Sequence, residues 1–519
     1  MSEITEIKTV PQIGFSERLV PFIVKQLGLP SENHFKLLKR SIDARKKPVM
    51  VLLRIEYDVD AEMDQSIPKF KPQPIKGNDE IHIIGAGPAG LFAGLRAIES
   101  GIKPIIYERG KEVKERRRDL AAINKEHVIN PESNYCFGEG GAGTYSDGKL
   151  YTRSKKRGHV QDVLLKLVQF GAPEEILFDS HPHIGTNKLP QIIESIRECI
   201  LENGGEVRFN SKLTDIKYNN DQIESFEING SEKIETANII LATGHSAKDI
   251  YELLHERKIE IEFKPFAMGV RIEHQQALID KIQYRLEDRG EYLPPSSYRL
   301  VTQVNGRGVY TFCMCPGGII APCATESGEV VTNGWSPSKR NNPWSNSGIV
   351  TEVRYEDIKD FHHFGPLAGL EFQRSVEQAC CDAAGNSQAV PAQRMLDFMK
   401  GKQSETLGDS SYIPGKTSVN LSEVLPHFIT KSIQLAFKDF EKKMRGYSTN
   451  DAIIHAPESR TSSPVRIPRD KETMQHTHVK GLYPCAEGAG YAGGIVSAAI
   501  DGMKCVEKIT GFENERMDQ

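Results

Sequence analysis

Long apolar runs are missing from this 519-residue chain, and no stretch approaches the span of a bilayer. Its first residues, Met1-Ser2-Glu3-Ile4-Thr5-Glu6, have neither the basic region nor the apolar core of a secretory leader, so the expectation is a soluble, cytoplasmic protein with no membrane partner. Charge of one sign is also lacking: the net charge is −4, and no global basic field argues for nucleic acid. Nine cysteines, an odd number scattered through a large chain, fit reduced thiols better than a disulfide framework. No ligand set at zinc-finger spacing accompanies them, so no metal is expected. Internal repeats, coiled-coil heptads and low-complexity tracts are absent as well. What remains is a chain too long for one core, with two or three domains as the natural division.

The most informative stretch runs from Ile81 to Leu91, where a short β-branched strand leads directly into Gly85-Ala86-Gly87-Pro88-Ala89-Gly90. Gly85 permits the tight turn, Gly87 lets backbone approach a phosphate, and Gly90 lets the following helix pack against the strand. Free N–H groups at the start of that helix then face an anion. Leu91, Leu95 and Ile98 continue at helical spacing, and Ile105-Ile106-Tyr107 forms a second strand ending in Glu108. A carboxylate at Glu108, with Arg109 beside it, is placed to meet the ribose of a dinucleotide.

Two further segments select FAD over NAD. Ile239–Leu241 followed by Ala242-Thr243-Gly244 resembles the second fingerprint of FAD-binding oxidoreductases. Glu487-Gly488, with Gly493-Gly494 opening a helical run at Ile495, looks like the third, in which an acid meets the ribityl or phosphate region and a helix start faces the flavin ring. The usual third motif has Asp where this chain has Glu487. A second strand followed by G-x-G-x-x-G is missing; the nearest stretch, Phe364–Leu370, lacks the strand and the middle glycine. That absence leaves room only for transient NAD(P)H, or for electrons from the substrate or a partner.

Three segments carry a wider resemblance: Asn134–Leu150, Glu458–Ile467 and Lys39–Lys47. The chain resembles the bacterial and plastid FAD-dependent dehydrogenases called NAD(FAD)-utilising dehydrogenases, with a glutathione-reductase-like flavin fold. The resemblance implies an FAD-dependent oxidoreductase that exchanges hydride between flavin N5 and an unidentified small-molecule substrate. The expected fold is α/β: a Rossmann-like FAD-binding domain in three layers around a parallel sheet, interrupted by an α+β substrate or cap domain.

The Pro- and Lys-rich stretch Ile67–Gly77 reads as an extended linker. Residues 1–77 would then be a small N-terminal α/β unit, ferredoxin-like or similar, with a helix carrying Leu19, Phe22, Ile23 and Leu27 and a strand over Val49–Tyr57. Residues 78–263 and 452–512 would form the discontinuous FAD-binding domain. Residues 264–451 would form the insertion, with strands near Val309–Cys313 and Glu329–Thr332 and helices over Glu371–Ala384 and Ser432–Met444. The polar tail Asn514–Gln519 is expected to fray.

Within this frame the glycine-rich Gly138–Gly148 segment would line the cofactor, with Gly140, Gly141, Thr144 and Asp147 as contacts and Lys149 beside them. In the run Lys114–Asp119, Arg117 is assigned to the phosphates, although a solvated helix face explains the same charges. His245 is a candidate general acid or base. Cys313 and Cys315 are a candidate redox or substrate-pocket pair; the C-x-C spacing would strain a disulfide, and buried structural thiols are the alternative. Arg460 is a candidate for binding an anionic substrate or the flavin edge, with His455 and Arg271 as weaker candidates. The basic run Lys36–Lys47 offers an anion-binding face, read either as a solvated helix face or as a recruiter of RNA. The latter would make the protein an FAD-binding RNA-associated or assembly factor. Nothing in the sequence sets the oligomeric state.

Overall fold

The computed structural model describes residues 2–152 and 160–512. The expected fraying tail, Asn514–Gln519, lies outside the described residues.

The N-terminal unit is an antiparallel three-stranded sheet in the order Glu3–Thr9, Met50–Tyr57, Phe35–Asp43, covered by the Leu19–Leu27 helix. Ile23, Val51, Leu53 and Ile55 bury its core. A ferredoxin-like unit needs a fourth strand, which the described residues of this unit do not supply, and its second helix here is the single turn Pro11–Gly14. The basic run Lys36–Lys47 is not a helix face: it lies mostly in the strand Phe35–Asp43, because Phe35 and Leu37 alternate toward the core at strand period. Arg40 leaves the run altogether, docking the unit onto its neighbour through both carboxylate oxygens of Asp179, at 2.7 and 3.1 Å. Arg45 is paired with Asp43.

The second unit is built on five parallel strands ordered Leu482–Pro484, Ile239–Leu241, Glu80–Ile84, Lys103–Tyr107, Glu206–Arg208. Strands with both faces covered read as near-continuous apolar runs, which is what Ile239–Leu241 is and what Ile81–Ile84 is apart from His82. One face packs against the helices Pro88–Glu99, Leu189–Glu202 and Ile495–Thr510. The other packs against an antiparallel sheet, Leu213–Asn219, Gln222–Ile228 and Glu232–Glu235, and the helix Lys248–Glu256. The result is three layers around the parallel sheet.

The inserted unit is a seven-stranded sheet in the order Val301–Val304, Arg307–Cys315, Trp344–Val353, Phe266–Gln275, Ile453–Glu458, Val390–Arg394, Lys416–Ser418. Helices Ala368–Ala383 and His427–Lys443 cover its apolar face. The strand Ile453–Glu458 pairs with Phe266–Gln275, so the insertion extends one strand beyond the boundary expected at residue 452. The strand expected over Glu329–Thr332 forms instead at Thr332–Trp335. Among the described residues, no helix is long and apolar enough to cross a membrane.

Candidate functional site

At the C-terminal ends of the parallel strands a cleft opens between the second unit and the insertion, about 1600 Å³ including the space at its mouth. Open α/β sheets bind ligands at this edge, where loops from separate strands converge. The glycine turn supplies one end. Gly85 has φ +104°, and a Cβ there would stand 2.5 Å from the Ala242 carbonyl oxygen. A Cβ on Gly90 would lie 1.9 Å from the Gly85 oxygen, so only glycine lets the helix sit this close to the strand. At Gly87 the situation is reversed: a Cβ would meet nothing within 4 Å. Gly87 caps the Pro88–Glu99 helix and lines the cleft with Gly85, Pro88 and Ala89, so the helix N-terminus faces open space.

Glu108 is buried and organises this end. Its carboxylate accepts hydrogen bonds from the backbone N–H of Ala86 at 2.8 Å and of Gly110 and Gly138 at 2.9 Å. One side chain thereby ties the glycine turn to the second glycine-rich loop. Arg109 lies over the Phe137 ring and is held by Glu132 and Asp249 at 2.6 and 2.9 Å.

The loop Gly138–Gly148 crosses the cleft. Near its start the Gly140 N–H donates to the Ala86 carbonyl, and a Cβ on Gly141 would touch the Gly87 Cα at 3.2 Å. At its far end Lys149 reaches the Arg307–Cys315 strand of the insertion, with its ammonium 3.8 Å from the Cys315 sulfur. Arg116, fully buried, clamps the loop from behind. It donates to the carbonyls of Asn134, Glu139 and Gly141 at 2.7 to 2.9 Å and to the Thr144 hydroxyl at 3.2 Å. Arg117, chosen from sequence for the phosphates, is exposed and outside the cleft, because one position along a helix turns a side chain away from the buried face. Val113, Arg116, Leu120 and Ile123 form the buried stripe of the helix Val113–Lys125. That spacing was the available signal for Arg116.

Ala242, Thr243, Gly244 and His245 line the cleft opposite, beside Glu487, Gly494 and Ile495. His245 Nδ1 lies 3.6 Å from a Glu487 oxygen, and its Nε2 has no protein partner. Gly90, Gly140, Thr144, Gly488 and Gly493 stand behind the lining. A Cβ on Gly488, for instance, would press on the Gly244 oxygen at 2.7 Å.

The insertion contributes Phe312, Cys313, Cys315, Asn333, Gly334, Arg460 and Thr461. Cys313 has φ +42°, at an irregularity where the strand loses register with its neighbour. Its carbonyl accepts from the Cys315 thiol at 3.2 Å and from Arg271 at 3.4 Å, while the residue stays exposed to the cleft. Burial pushes the Cys313 thiol up to about 11 and raises Cys315 too, so both are neutral thiols near neutral pH.

Arg460 lines the cleft with its guanidinium already engaged. It meets Glu377 at 3.1 and 3.2 Å, Thr325 at 3.0 Å and Glu329 at 3.5 Å. Lys248, from the second unit, joins the same cluster through Glu329 at 2.6 and 2.7 Å. Burial and the nearby Glu377 raise Glu329 to about 7. Burial acts the same way on Glu377, but Arg460 and Lys248 outweigh it and hold it at about 2. Lys248, Glu329 and Glu377 are absent from any local motif; only the fold brings them together. Arg271 is fully buried in a bidentate pair with Glu458 at 2.7 and 2.9 Å, and His455 is buried against Ser410 at 2.8 Å, away from the cleft lining. Among the described residues no cluster of three metal-ligating side chains occurs.

Residues 265–461 match a family described as "FAD-dependent protein, C-terminal domain-like". Residues 1–58 match "Domain of unknown function (DUF8436)". An "Uncharacterized protein" of Clostridium beijerinckii (strain ATCC 51743 / NCIMB 8052) is 41% identical over 513 residues, spanning 94% of each chain. Among solved structures, the glycine oxidase of Bacillus cereus ATCC 14579 shares 12% identity over 85% of this chain and 97% of its own, with a TM-score of 0.31. The L-proline dehydrogenase of P. horikoshii shares 12% over 85% and 96%, with a TM-score of 0.32. Likenesses this loose carry no inference about chemistry.

Proposed function

The chain belongs to one family with the Clostridium beijerinckii protein, and its inserted unit to the FAD-dependent C-terminal-domain type; from that premise we propose that it is an FAD-dependent oxidoreductase. The carrying observation is convergence: three segments far apart in sequence, Gly85–Gly90, Ala242–Gly244 and Glu487–Ile495, meet around one cleft that the insertion closes from the other side. The residues present fit the cofactor. The one turn glycine whose Cβ would meet nothing lies at a helix N-terminus facing the cleft, as a pyrophosphate requires. The His245 Nε2 without a protein partner leaves a polar atom for a ligand.

Bound here, FAD supplies a centre that accepts or returns a hydride at N5. In this reading the backbone at Gly85 and Gly87 and the start of the Pro88–Glu99 helix hold the phosphates. Glu108 keeps the turn in shape and meets the ribose. The start of the Ile495–Thr510 helix, with its positive end toward the cleft, stabilises negative charge on the ring. Cys313 and the insertion wall enclose the substrate. Arg460 positions that wall through Glu377 and does not itself bind substrate, since its donors are taken.

Anaerobic mixing of the purified yellow protein with NADH and then NADPH, followed by flavin absorbance, tests the electron source. Rapid bleaching by either marks a nicotinamide-fed reductase. Bleaching by neither, with flavin present, marks a dehydrogenase reduced by its substrate or a partner. Protein that takes up no FAD on reconstitution overturns the proposal.

A further inference from the structure

The end of the cleft at Lys149 carries more positive charge than the protein neutralises. Lys149 lines the cleft with its side chain 37% exposed, and Arg340 stands beside it. One carboxylate serves both: Asp147 Oδ2 lies 2.7 Å from Arg340 and 3.5 Å from Lys149. Asp147 is itself buried at 4%, and its other oxygen has no partner. Among the described residues, the remaining polar neighbours add no negative charge. Cys313 and Cys315 are held as neutral thiols by burial, and His183 is held down to about 4 by burial and then by Arg340. Burial would raise Asp147, but Lys149 and Arg340 outweigh it and keep it near 2, so it is ionised and counted. Two cations face one anion, and the excess sits where a low-dielectric wall strengthens every charge.

This excess is not at the phosphate end. The glycine loop meets the Gly87–Pro88 turn at Gly141 and Gly143, and only its opposite end brings Lys149 to the insertion strand. Positive charge continues outward from there: burial, Arg340 and Lys39 of the N-terminal strand all depress the His181 imidazole.

We propose that the Lys149 end of the cleft is the substrate subsite and that it takes an anionic substrate, a carboxylate or phosphate bearer, with its charge on Lys149 and its reacting part beside Cys313. This rests on the oxidoreductase reading for the identity of the site, and adds the class of molecule it accepts.

Cys313 provides a reporter that needs no knowledge of the substrate. Its thiolate displaces iodide from iodoacetate or iodoacetamide, forming a C–S bond, releasing iodide and leaving the thiol proton with the buffer. The two reagents are close in size and differ in charge, and the free-cysteine reference removes their difference in intrinsic reactivity. Alkylation of Cys313 in the FAD-loaded protein, followed by peptide mass, is expected to favour iodoacetate over iodoacetamide by about tenfold relative to free cysteine in the same buffer. The preference is expected to shrink toward the free-cysteine value in Lys149→Met and, in the unaltered protein, at high salt. Acetate and inorganic phosphate, added separately as competitors against iodoacetamide, distinguish the two kinds of anion by which slows Cys313 labelling at lower concentration. A ratio equal to that of free cysteine, or one unchanged by both Lys149→Met and salt, overturns the proposal. The flavin absorbance of the same samples separates the two readings: yellow protein without the preference sinks only the subsite, and colourless protein that keeps it sinks only the flavin assignment.

Discussion

The two walls of the cleft are made by opposite means. On the parallel-sheet side the groups that shape the cleft end are backbone atoms, positioned by glycines and gathered by one carboxylate, Glu108. On the insertion side they are side chains held in buried ion clusters, Arg271 with Glu458 and Arg460 with Glu377, Glu329 and Lys248. A wall of backbone leaves no room for added atoms where it is tightest, at Gly85 and Gly90. A wall of buried charges tolerates conservative changes of shape but depends on every partner and on proton concentration, because an unpaired buried charge is expensive. The difference explains why the first half is written as a short motif and the second is not.

The largest effect that sharpens the contrast should come from two neighbouring glycines. Gly90→Val drives a side chain into the Gly85 carbonyl and is expected to destabilise the fold on the order of 4 kcal/mol or more. Gly87→Val meets open space, so its thermal midpoint should stay near that of the flavin-free parent while flavin binding is lost. Equal losses of stability in both variants, measured by thermal unfolding, would mean that Gly87 is structural and would break the comparison.

On the charged wall, Glu377→Gln should cost about 3–5 kcal/mol by denaturant unfolding, since it removes the carboxylate that the buried Arg460 grips through both oxygens. Pairing it with Arg460→Met should cost less than the sum of the single changes. The same cluster carries a pH signature. Glu329 is raised to about 7 in the fold from an ordinary value near 4.5, so its contribution to stability is complete below about 4.5 and is lost as pH rises through about 7. Glu329→Gln should flatten the stability curve in that window; an unchanged slope would remove Glu329 as its source. Glu377, lowered to about 2, acts in the opposite sense and loses its contribution only as pH falls toward that value.

The smallest expected effect is Arg117→Ala, within about 0.5 kcal/mol and with flavin retained, because the side chain is exposed. Arg116→Ala should cost several times more and loosen the glycine loop, leaving buried carbonyls without donors. Flavin loss in Arg117→Ala alone would reverse the assignment.

The glycine-turn half was legible because its constraints are local: a strand, a turn and a helix start within eleven residues, Ile81–Leu91, impose glycine at fixed offsets. Where the sequence reading slipped, the deciding contact was distant. The basic run became a strand because Met50–Tyr57 pairs with it, and a charge pattern alone does not reveal a pairing partner. The end of the insertion moved past residue 452 because Ile453–Glu458 finds Phe266–Gln275 far back in the chain. Arg116 was within reach of periodicity, had the buried stripe Val113, Leu120 and Ile123 been weighed above the arginine's neighbours. The Lys248–Glu329–Glu377–Arg460 cluster was not, since its four members come from separate elements and share no spacing.

The parallel sheet is completed by Leu482–Pro484, which pairs with Ile239–Leu241, and the helix Ile495–Thr510 crosses Pro88–Glu99 so closely that a Cβ on Gly502 would lie 2.0 Å from the Ala89 oxygen. Synthesis therefore delivers the insertion whole before the sheet that flanks it can close. On the ribosome, the inserted unit can finish folding while the parallel-sheet unit waits, its apolar strand edge and helix face uncovered, until residues 482–510 have emerged. A chain stalled or cut short of residue 482 would leave that edge open for good, making residues 482–510 the natural checkpoint between a closed sheet and an aggregation-prone one.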